Sequence, residues 1–364
     1  MNTVRQTLKY AYLVKRTTGK SFFHQAIDIL RLRTKRNVIG LTEYFELELF
    51  DDTLYSWDVK KYFIGHRFSA KIDRLLNDNS WRAIAYDKVV NYSILKNRGF
   101  PIPEPIATYN KNGRCISGEA SLTSIEEVYE FLKCQRPYPL FIKPIHGYSG
   151  VGAYGILSVD TKHGFVDLIN GQRIKLEVLI RDFLFEPYDG MLFQRMLTPA
   201  APIAEIFGER LSCIRVIVLL TSKGPKIHIA FWKIARNKNM VDNFSYGQYG
   251  NMLGWINIDN GHLERVIQSF WPNNREVEIH PDTGKTMKEF FIPEWSAIKE
   301  LCLSASVNFP GLKIQSWDVA LCDTGPVIIE LNTDADLEIP QWVGRKAFLD
   351  EVLLGLMKSI ADRA

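Results

Sequence analysis

The sequence predicts an α+β protein in which two α+β lobes close on a ligand, preceded by a helical region. Three observations predict it. Residues 1–36 combine helical apolar spacing with dense positive charge, residues 87–144 alternate helix and strand signals, and strand composition dominates from Gly190 onward. The boundaries that follow are a basic helical region at 1–80, a small lobe at 81–189 and a C-terminal lobe at 190–364.

The basic region comes first. Residues 1–36 hold nine Lys/Arg against the single acid Asp28, a net charge of +8 in a chain whose total is +4. Val4, Leu8, Ala11 and Tyr12, then Ile27 and Leu30, recur at helical spacing. Two readings fit. One is a helical prelude packed on the main body with its basic face in water, which is preferred. The other is a peripheral contact with an anionic membrane surface. Nucleic acid is not expected, because no aromatic platform or base-reading motif interleaves the charge.

Further helical or mixed elements are expected over 37–50 and 53–68. Asp87 caps a helix that runs to Arg98 and is closed by Gly99. Pro101, Pro103 and Pro105 then enforce an extended exit into a strand at 106–109. Thr123 is the expected N-cap of a helix over 124–133, with Glu126 at the reciprocal capping position. Leu140–Pro144 is a short apolar strand carrying Lys143. Strand composition follows at 191–196, 213–221, 226–235 and 252–258. Glu294–Val307 is an amphipathic helix, and 345–360 is the closing one.

Two segments carry chemistry. Residues 315–332 form two apolar runs around Thr-Gly-Pro, a strand–turn–strand hairpin with Asp318 on one strand and Glu330 and Asn332 on the other. Glu330 and Asn332 are two apart and leave one face, so with Asp318 opposite them three hard oxygen ligands suit Mg²⁺ on nucleotide phosphates. An ordinary solvated hairpin also explains these positions. Far upstream, the Lys143 strand enters a loop with glycines at 147, 150, 152 and 155. Such a loop lets backbone N–H groups close on phosphate oxygens within reach of the lysine. It is neither a Walker loop nor a dinucleotide fingerprint. A mobile surface hairpin would explain the loop alone; the two segments together point to a nucleotide–magnesium site.

Composition bounds the rest. The five cysteines show no Cys-x-x-Cys pair, which argues against a zinc site or disulfide framework and fits a reducing cytoplasm. The N-terminus lacks a signal-peptide core, and no apolar run reaches the roughly 20 residues that span a bilayer.

On these segments the chain resembles the ATP-grasp superfamily, and within it the sugar-transfer-associated group, also described as α-L-glutamate-ligase-related. The resemblance runs over roughly 44–341. It rests on Asp87-Lys88, 141–155, 212–216, 241–243, 280–284 and 317–332. It implies an ATP-grasp fold with the nucleotide clamped between the lobes, and ATP and Mg²⁺ as cofactors. Asp318, Glu330 and Asn332 are then the metal ligands. Lys88 and Lys143 are implied as phosphate contacts, together with His146, Gly147, Ser149, Gly150 and Gly152 of the loop. The strand Phe193–Leu197 resembles the adenine hinge, with Gln194, Arg195, Met196 and Leu197 as its contacts and Ile142 and Met196 enclosing the ring. Arg215 and Lys233 are the implied catalytic cations, facing the transferring phosphoryl group. Arg215 as a structural salt bridge, Lys88 as a solvated helix residue and Met196 as a core residue are the competing accounts. Arg236 extends the cationic wall, and Asp242 and Asn243 line the acceptor side or simply form a turn.

The resemblance implies a cytoplasmic, ADP-forming carboxylate–amine ligase acting through an acylphosphate. Its partners would be a small carboxylate and an amine or sugar-linked acceptor, in polysaccharide or cell-envelope sugar assembly. The alternatives are a kinase of a sugar or polyol hydroxyl, and a non-catalytic ATP-binding partner of a glycosyltransferase.

Overall fold

The computed structural model describes residues 3–34, 38–134, 138–147, 150–184, 186–236 and 239–362. It contains two sheets. The first has seven strands: β1 (Pro105–Tyr109), β2 (Ala120–Leu122), β3 (Leu140–Pro144), β4 (Tyr154–Asp160), β5 (Phe165–Leu168), β6 (Arg173–Lys175) and β7 (Met191–Arg195), in the order β2-β1-β7-β3-β4-β5-β6. The second has six, all antiparallel: β8 (Cys213–Thr221), β9 (Gly224–Ile234), β10 (Met252–Ile256), β11 (Leu263–Ile267), β12 (Ile314–Cys322) and β13 (Gly325–Asn332), in the order β11-β10-β9-β8-β12-β13.

Strand β7 sits beside β3 in the middle of the first sheet, so that sheet reaches past the boundary expected at residue 190. The reason is pairing. Met191–Arg195 runs antiparallel to Leu140–Pro144 residue for residue and also to β1. The apolar side of this sheet closes on the helices Ile125–Lys133 and Leu176–Phe183 through Val128, Leu132, Ile142, Leu179 and Phe193.

The second sheet is apolar on both faces, and each face has its own cover. Val216, Val218, Trp232 and Trp317 pack on the helix Trp295–Ser306 through Ile298 and Cys302. Ile217, Leu219, Ile229 and Phe231 pack on the N-terminal region through Val14, Leu32, Tyr44 and Phe45, and on the C-terminal helix through Leu353. The basic prelude is therefore part of this lobe's core. Its helices Thr3–Thr18 and Phe22–Arg33 bury Tyr10, Val14 and Leu32 but leave Leu8, Tyr12, Phe23 and Leu30 exposed beside the basic residues.

Several boundaries shift for local reasons. Ser124, not Thr123, is the N-cap: its hydroxyl accepts from Glu127 N–H at 3.2 Å, and the Glu127 carboxylate closes the capping box in place of Glu126. The closing helix expected at 345–360 begins only at Glu351 and runs to Ala361, because Asp350 caps it by accepting from Leu353 N–H at 2.9 Å; a separate helix, Glu338–Gly344, precedes it and ends where Arg345 turns left-handed at φ 48°. Strands β4–β6 and the helix Leu176–Phe183 went unforeseen. No helix among the described residues is long and apolar enough to cross a membrane.

Candidate functional site

Strand periodicity sets one wall of the cleft between the sheets. On β3, Phe141 and Lys143 share a face, while Ile142 points the other way into the lobe core, fully buried. Phe141, not Ile142, therefore lines the cleft together with Met196. Gln194 stands directly opposite Phe141 and also faces the cleft, where its Oε1 is buried with no hydrogen-bond partner among the described residues. Leu197 joins this wall. Arg195 does not: it is exposed and donates from Nε to Glu104 at 2.6 Å, outside the cleft.

The lysines converge from two elements. Lys143 is buried, with its Nζ 2.9 Å from Tyr92 Oη and 3.3 Å from the Ile329 carbonyl. Both partners are neutral. Burial lowers its pKa, and the negative charge of Glu330 opposes the shift only in part. Asp87 caps the helix Lys88–Asn97 through Val89 and Val90 N–H, which fixes Lys88 in the first turn. From there Lys88 Nζ reaches the Gly147 carbonyl at 3.3 Å and Glu330 at 3.2 Å, so it ties the glycine loop to the second sheet.

Within that loop Gly147 and Gly150 line the cleft. Gly150 has φ +70° and Gly152 φ +75°, and a Cβ on either would lie 2.8 Å from a neighbour, Val241 and Tyr188 respectively. Gly152 thus seats the loop on Tyr188 and does not itself face the cleft. Ser149 lies outside the described residues. His146 is also held away from the cleft: its Nε2 pairs with Asp87 at 3.1 Å and its ring stacks on Tyr86 at 4.8 Å.

The opposite wall is an ionic cluster on the second sheet. Arg215 on β8 and Asp318 on β12 occupy paired positions and join through two bonds of 2.9 Å, Nε to Oδ1 and Nη2 to Oδ2. Lys233 on β9 donates to Asp318 Oδ2 at 3.1 Å and lies 3.3 Å from Asp242. Asn332 Nδ2 reaches the same Oδ2 at 3.2 Å. All this sits on the sheet face that the N-terminal helices cover further along, at the end where that cover stops. Burial alone would raise the Asp318 carboxyl; Arg215 and Lys233 instead hold it well below the carboxylate range. Those carboxylates likewise keep Lys233 protonated against burial.

The hairpin thus brings Asp318, Glu330 and Asn332 together, with Asp318 opposite Glu330 in register. Among the described residues no cluster of three His, Cys, Asp or Glu has metal-site spacing, so Asn332 would have to supply a ligand. The donor set still fits a hard cation. Glu330 faces the cleft, Asn332 commits its nitrogen to Asp318 and keeps its oxygen, and among the described residues Asp318 Oδ1 accepts from Arg215 alone and retains a lone pair. Facing it, the buried Lys143, whose hydrogen-bond partners are neutral, and the backbone-lined loop fit a polyanion.

The cleft encloses about 1110 Å³, part of it open to solvent. A second pocket of about 1700 Å³ on the same measure adjoins it and shares Gly147, Asn243 and Glu330. The implied catalytic cations Arg215 and Lys233 line this second pocket, and Lys233 lies 3.3 Å from Asp242 on the wall of the first. Asp242 lines the cleft and Asn243 both spaces. Arg236 is drawn away by Asp282, with bonds of 2.7 and 2.6 Å.

Sequence reasoning missed the loop that follows β13. Thr333–Glu338 is held by one stripe of the helix His66–Leu76 and its C-cap Asn77. Asn77 donates to the Thr333 carbonyl at 2.9 Å, Asp73 accepts from Ala335 N–H at 3.1 Å, Ser69 accepts from Leu337 N–H at 3.0 Å, and His66 meets Glu338 at 2.8 Å. The signal was present as polar residues at 66, 69, 73 and 77, one helix face.

The family described as sugar-transfer associated ATP-grasp matches residues 67–355. Comparison with curated proteins finds no match. Among solved structures, the chain is similar to the D-alanine-D-alanine ligase from Coxiella burnetii, at 12% identity and TM-score 0.42, covering 79% of this chain and 61% of that one. It is similar to D-alanyl-alanine synthetase A from Vibrio cholerae, at 12% identity and TM-score 0.45, covering 78% and 67%. A biotin carboxylase from Campylobacter jejuni aligns at 10% identity and TM-score 0.44, covering 81% and 51%. The chain thus spans less than two thirds of the first of these and about half of the third.

Proposed function

The chain belongs to the sugar-transfer associated ATP-grasp family, and from that premise we propose that it is an ATP-dependent ligase joining a carboxylate to an amine through an acylphosphate, with release of ADP and phosphate. The observation that carries the reading is the junction of two spaces. A cleft with a lysine- and glycine-lined wall opens at Glu330 onto a pocket walled by Arg215 and Lys233.

In this reading Phe141 and Met196 enclose the adenine, and the orphaned Gln194 Oε1 accepts a donor from it. Lys143, Lys88 and the loop amides hold the phosphates. Glu330, Asn332 and Asp318 Oδ1 would hold Mg²⁺, which supplies charge neutralisation for the transferring phosphoryl group. Arg215 presents a planar fork of donors, its orientation fixed by Asp318 before any substrate arrives. Lys233 adds a second cation on the same side. Such preorganised charge stabilises the phosphoryl oxygens and then the acylphosphate without reorganisation at the moment of reaction. The family description supports a setting in polysaccharide or cell-envelope sugar assembly.

Incubation with ATP, Mg²⁺ and a panel of amino acids and uronic acids as carboxylate and amine tests the proposal. Phosphate release coupled to an amide is expected. A stable phosphoester would instead identify a kinase, and the absence of turnover with every pair would oppose the ligase reading.

The N-terminal hairpin supports a peripheral membrane contact, since Leu8, Tyr12, Phe23 and Leu30 are 62–72% exposed in the most basic stretch of the chain. Co-sedimentation with anionic but not neutral vesicles, lost in Phe23→Ser with Leu30→Ser, is the expected result. Equal recovery with neutral vesicles would remove the electrostatic part of that reading.

A further inference from the structure

The pocket beside the cleft has a charge pattern that the phosphoryl chemistry does not use. Besides Arg215 and Lys233 it is lined by acids of the Thr333–Glu338 loop and by the rings of Phe244, Tyr246 and Trp342. Two of the loop acids have their own cations: Asp334 accepts from Arg82 at 2.6 Å, and Glu338 Oε1 meets His66 at 2.8 Å. Among the described residues Asp336 pairs only with a share of Arg215, 3.3 Å from Nη1, and that guanidinium already spends two nitrogens on Asp318. Counted this way, Arg215 is divided between Asp318 and Asp336, and among the described residues Asp336 has the smallest share of a cation of the three loop acids.

A second observation is independent of that count. Glu338 is 8% exposed, and its Oε2 is buried with no hydrogen-bond partner among the described residues. A buried carboxylate oxygen without a donor is costly, so it calls for a ligand that brings one. The aromatic wall agrees in chemistry. Tyr246 and Phe244 lie 5.7 and 6.2 Å from Trp342, and such rings attract an ammonium group. The backbone is set for the purpose by residues outside the loop, since His66, Ser69, Asp73 and Asn77 anchor its neighbours on both sides of Asp336.

We propose that this pocket takes the amine substrate as a primary ammonium, which Glu338 and the aromatic wall bind, and that Asp336 is the catalytic base that removes its proton. The inference deepens the ligase reading and rests on it. Asp336 takes one proton from R–NH₃⁺. The freed nitrogen lone pair attacks the acylphosphate carbonyl and the C–N bond forms. The C–O bond to phosphate breaks with its electron pair going to the phosphate oxygen, and the second N–H proton leaves with the phosphate. Asp336 later returns its proton to solvent. No oxidant or further reactant is required.

Hydroxylamine separates the two halves of the reaction, because it is unprotonated at neutral pH and attacks acylphosphates without a base. Asp336→Asn is compared with the unsubstituted protein, using the common amino acids and uronic acids as carboxylates. Each is tried first with hydroxylamine and then with amino acids and amino sugars as amines. Asparagine tolerates the positive φ of 48° at this position, so the variant keeps the loop. The expected result is hydroxamate formation within about threefold of the unsubstituted protein and amide formation lower by about 10²-fold or more. Glu338→Gln should raise KM for the amine with little change in kcat, and should leave hydroxamate formation intact. Equal loss of hydroxamate and amide in Asp336→Asn, or full retention of both, overturns the inference and leaves the ligase reading standing. Absence of hydroxamate from the unsubstituted protein with every acid overturns the ligase reading itself.

Discussion

Arg215 and Asp318 face each other across adjacent antiparallel strands and meet through two parallel hydrogen bonds of 2.9 Å, both side chains nearly inaccessible to solvent. The pair is the hub of the second sheet's polar end, because Lys233 and Asn332 also converge on Asp318. Asp318→Asn removes the counter-charge and leaves two buried cations sharing the more distant Asp242 and Asp336. Breaking a buried pair from one side costs about 3–5 kcal/mol, so denaturant unfolding should show a loss of that order. Arg215→Lys keeps the charge but not the fork. It should spare most of the stability and lower kcat by about 10²-fold.

Lys143 is the opposite case, a buried cation whose contacts, Tyr92 Oη and the Ile329 carbonyl, carry no charge. If it is kept for a bound polyanion, replacing it by an apolar side chain of similar length should not harm the free protein. Lys143→Met should melt at the same temperature or higher, while calorimetric MgATP affinity falls by about tenfold or more. A large drop in melting temperature would mark the lysine as structural.

Two glycines, one in the phosphate loop and one in the turn between β4 and β5, separate by what surrounds them. Gly152 and Gly164 both have positive φ, but a Cβ on Gly152 would lie 2.8 Å from the Tyr188 ring, whereas Gly164 has open space. Gly164→Ala should cost only backbone strain, about 1–2 kcal/mol, and leave nucleotide affinity unchanged. Gly152→Ala should shift the loop and weaken nucleotide binding by about tenfold as well. Parallel titrations of the two variants check this.

Burial pushes the Asp336 carboxyl up to about 6, and Arg215 opposes that shift only in part. The sign follows. A base acts as its carboxylate, so amide formation should rise with pH through about 6 and reach a plateau above it. Hydroxamate formation should lack that limb. The same shift makes the free folded protein hold a proton that the unfolded chain has lost. This group's contribution to stability is therefore greatest at low pH and falls as pH rises from about 4 to about 6. Asp336→Asn should remove both effects, in pH–rate profiles and in melting temperature against pH.

Much of this site was legible because it depends on local pattern. Strand periodicity put Glu330 and Asn332 on one face, and Asp87 announced the helix start that fixes Lys88. The same periodicity, applied to β3, would have chosen Phe141 over Ile142, since only residues two apart from Lys143 can share its face. What stayed hidden was long-range. Arg215 meets Asp318 across 103 residues of chain, and Asn77 holds the Thr333 carbonyl across 256. No composition signal reports which strand lies beside which. The loop acids at 334, 336 and 338 went unread because the helix that anchors them belongs to the N-terminal region. Arg195 was misjudged for a related reason: it ends β7, where the side chain is free to meet Glu104 outside the cleft.

Whether both walls of the cleft serve one MgATP is decided by calorimetric titration of MgATP into the unsubstituted protein, Lys143→Met and Glu330→Gln. One site per chain is expected, weakened by about tenfold or more in Lys143→Met. In Glu330→Gln the excess affinity that Mg²⁺ confers on ATP should disappear. No binding by the unsubstituted protein, or equal affinity in all three, would contradict it.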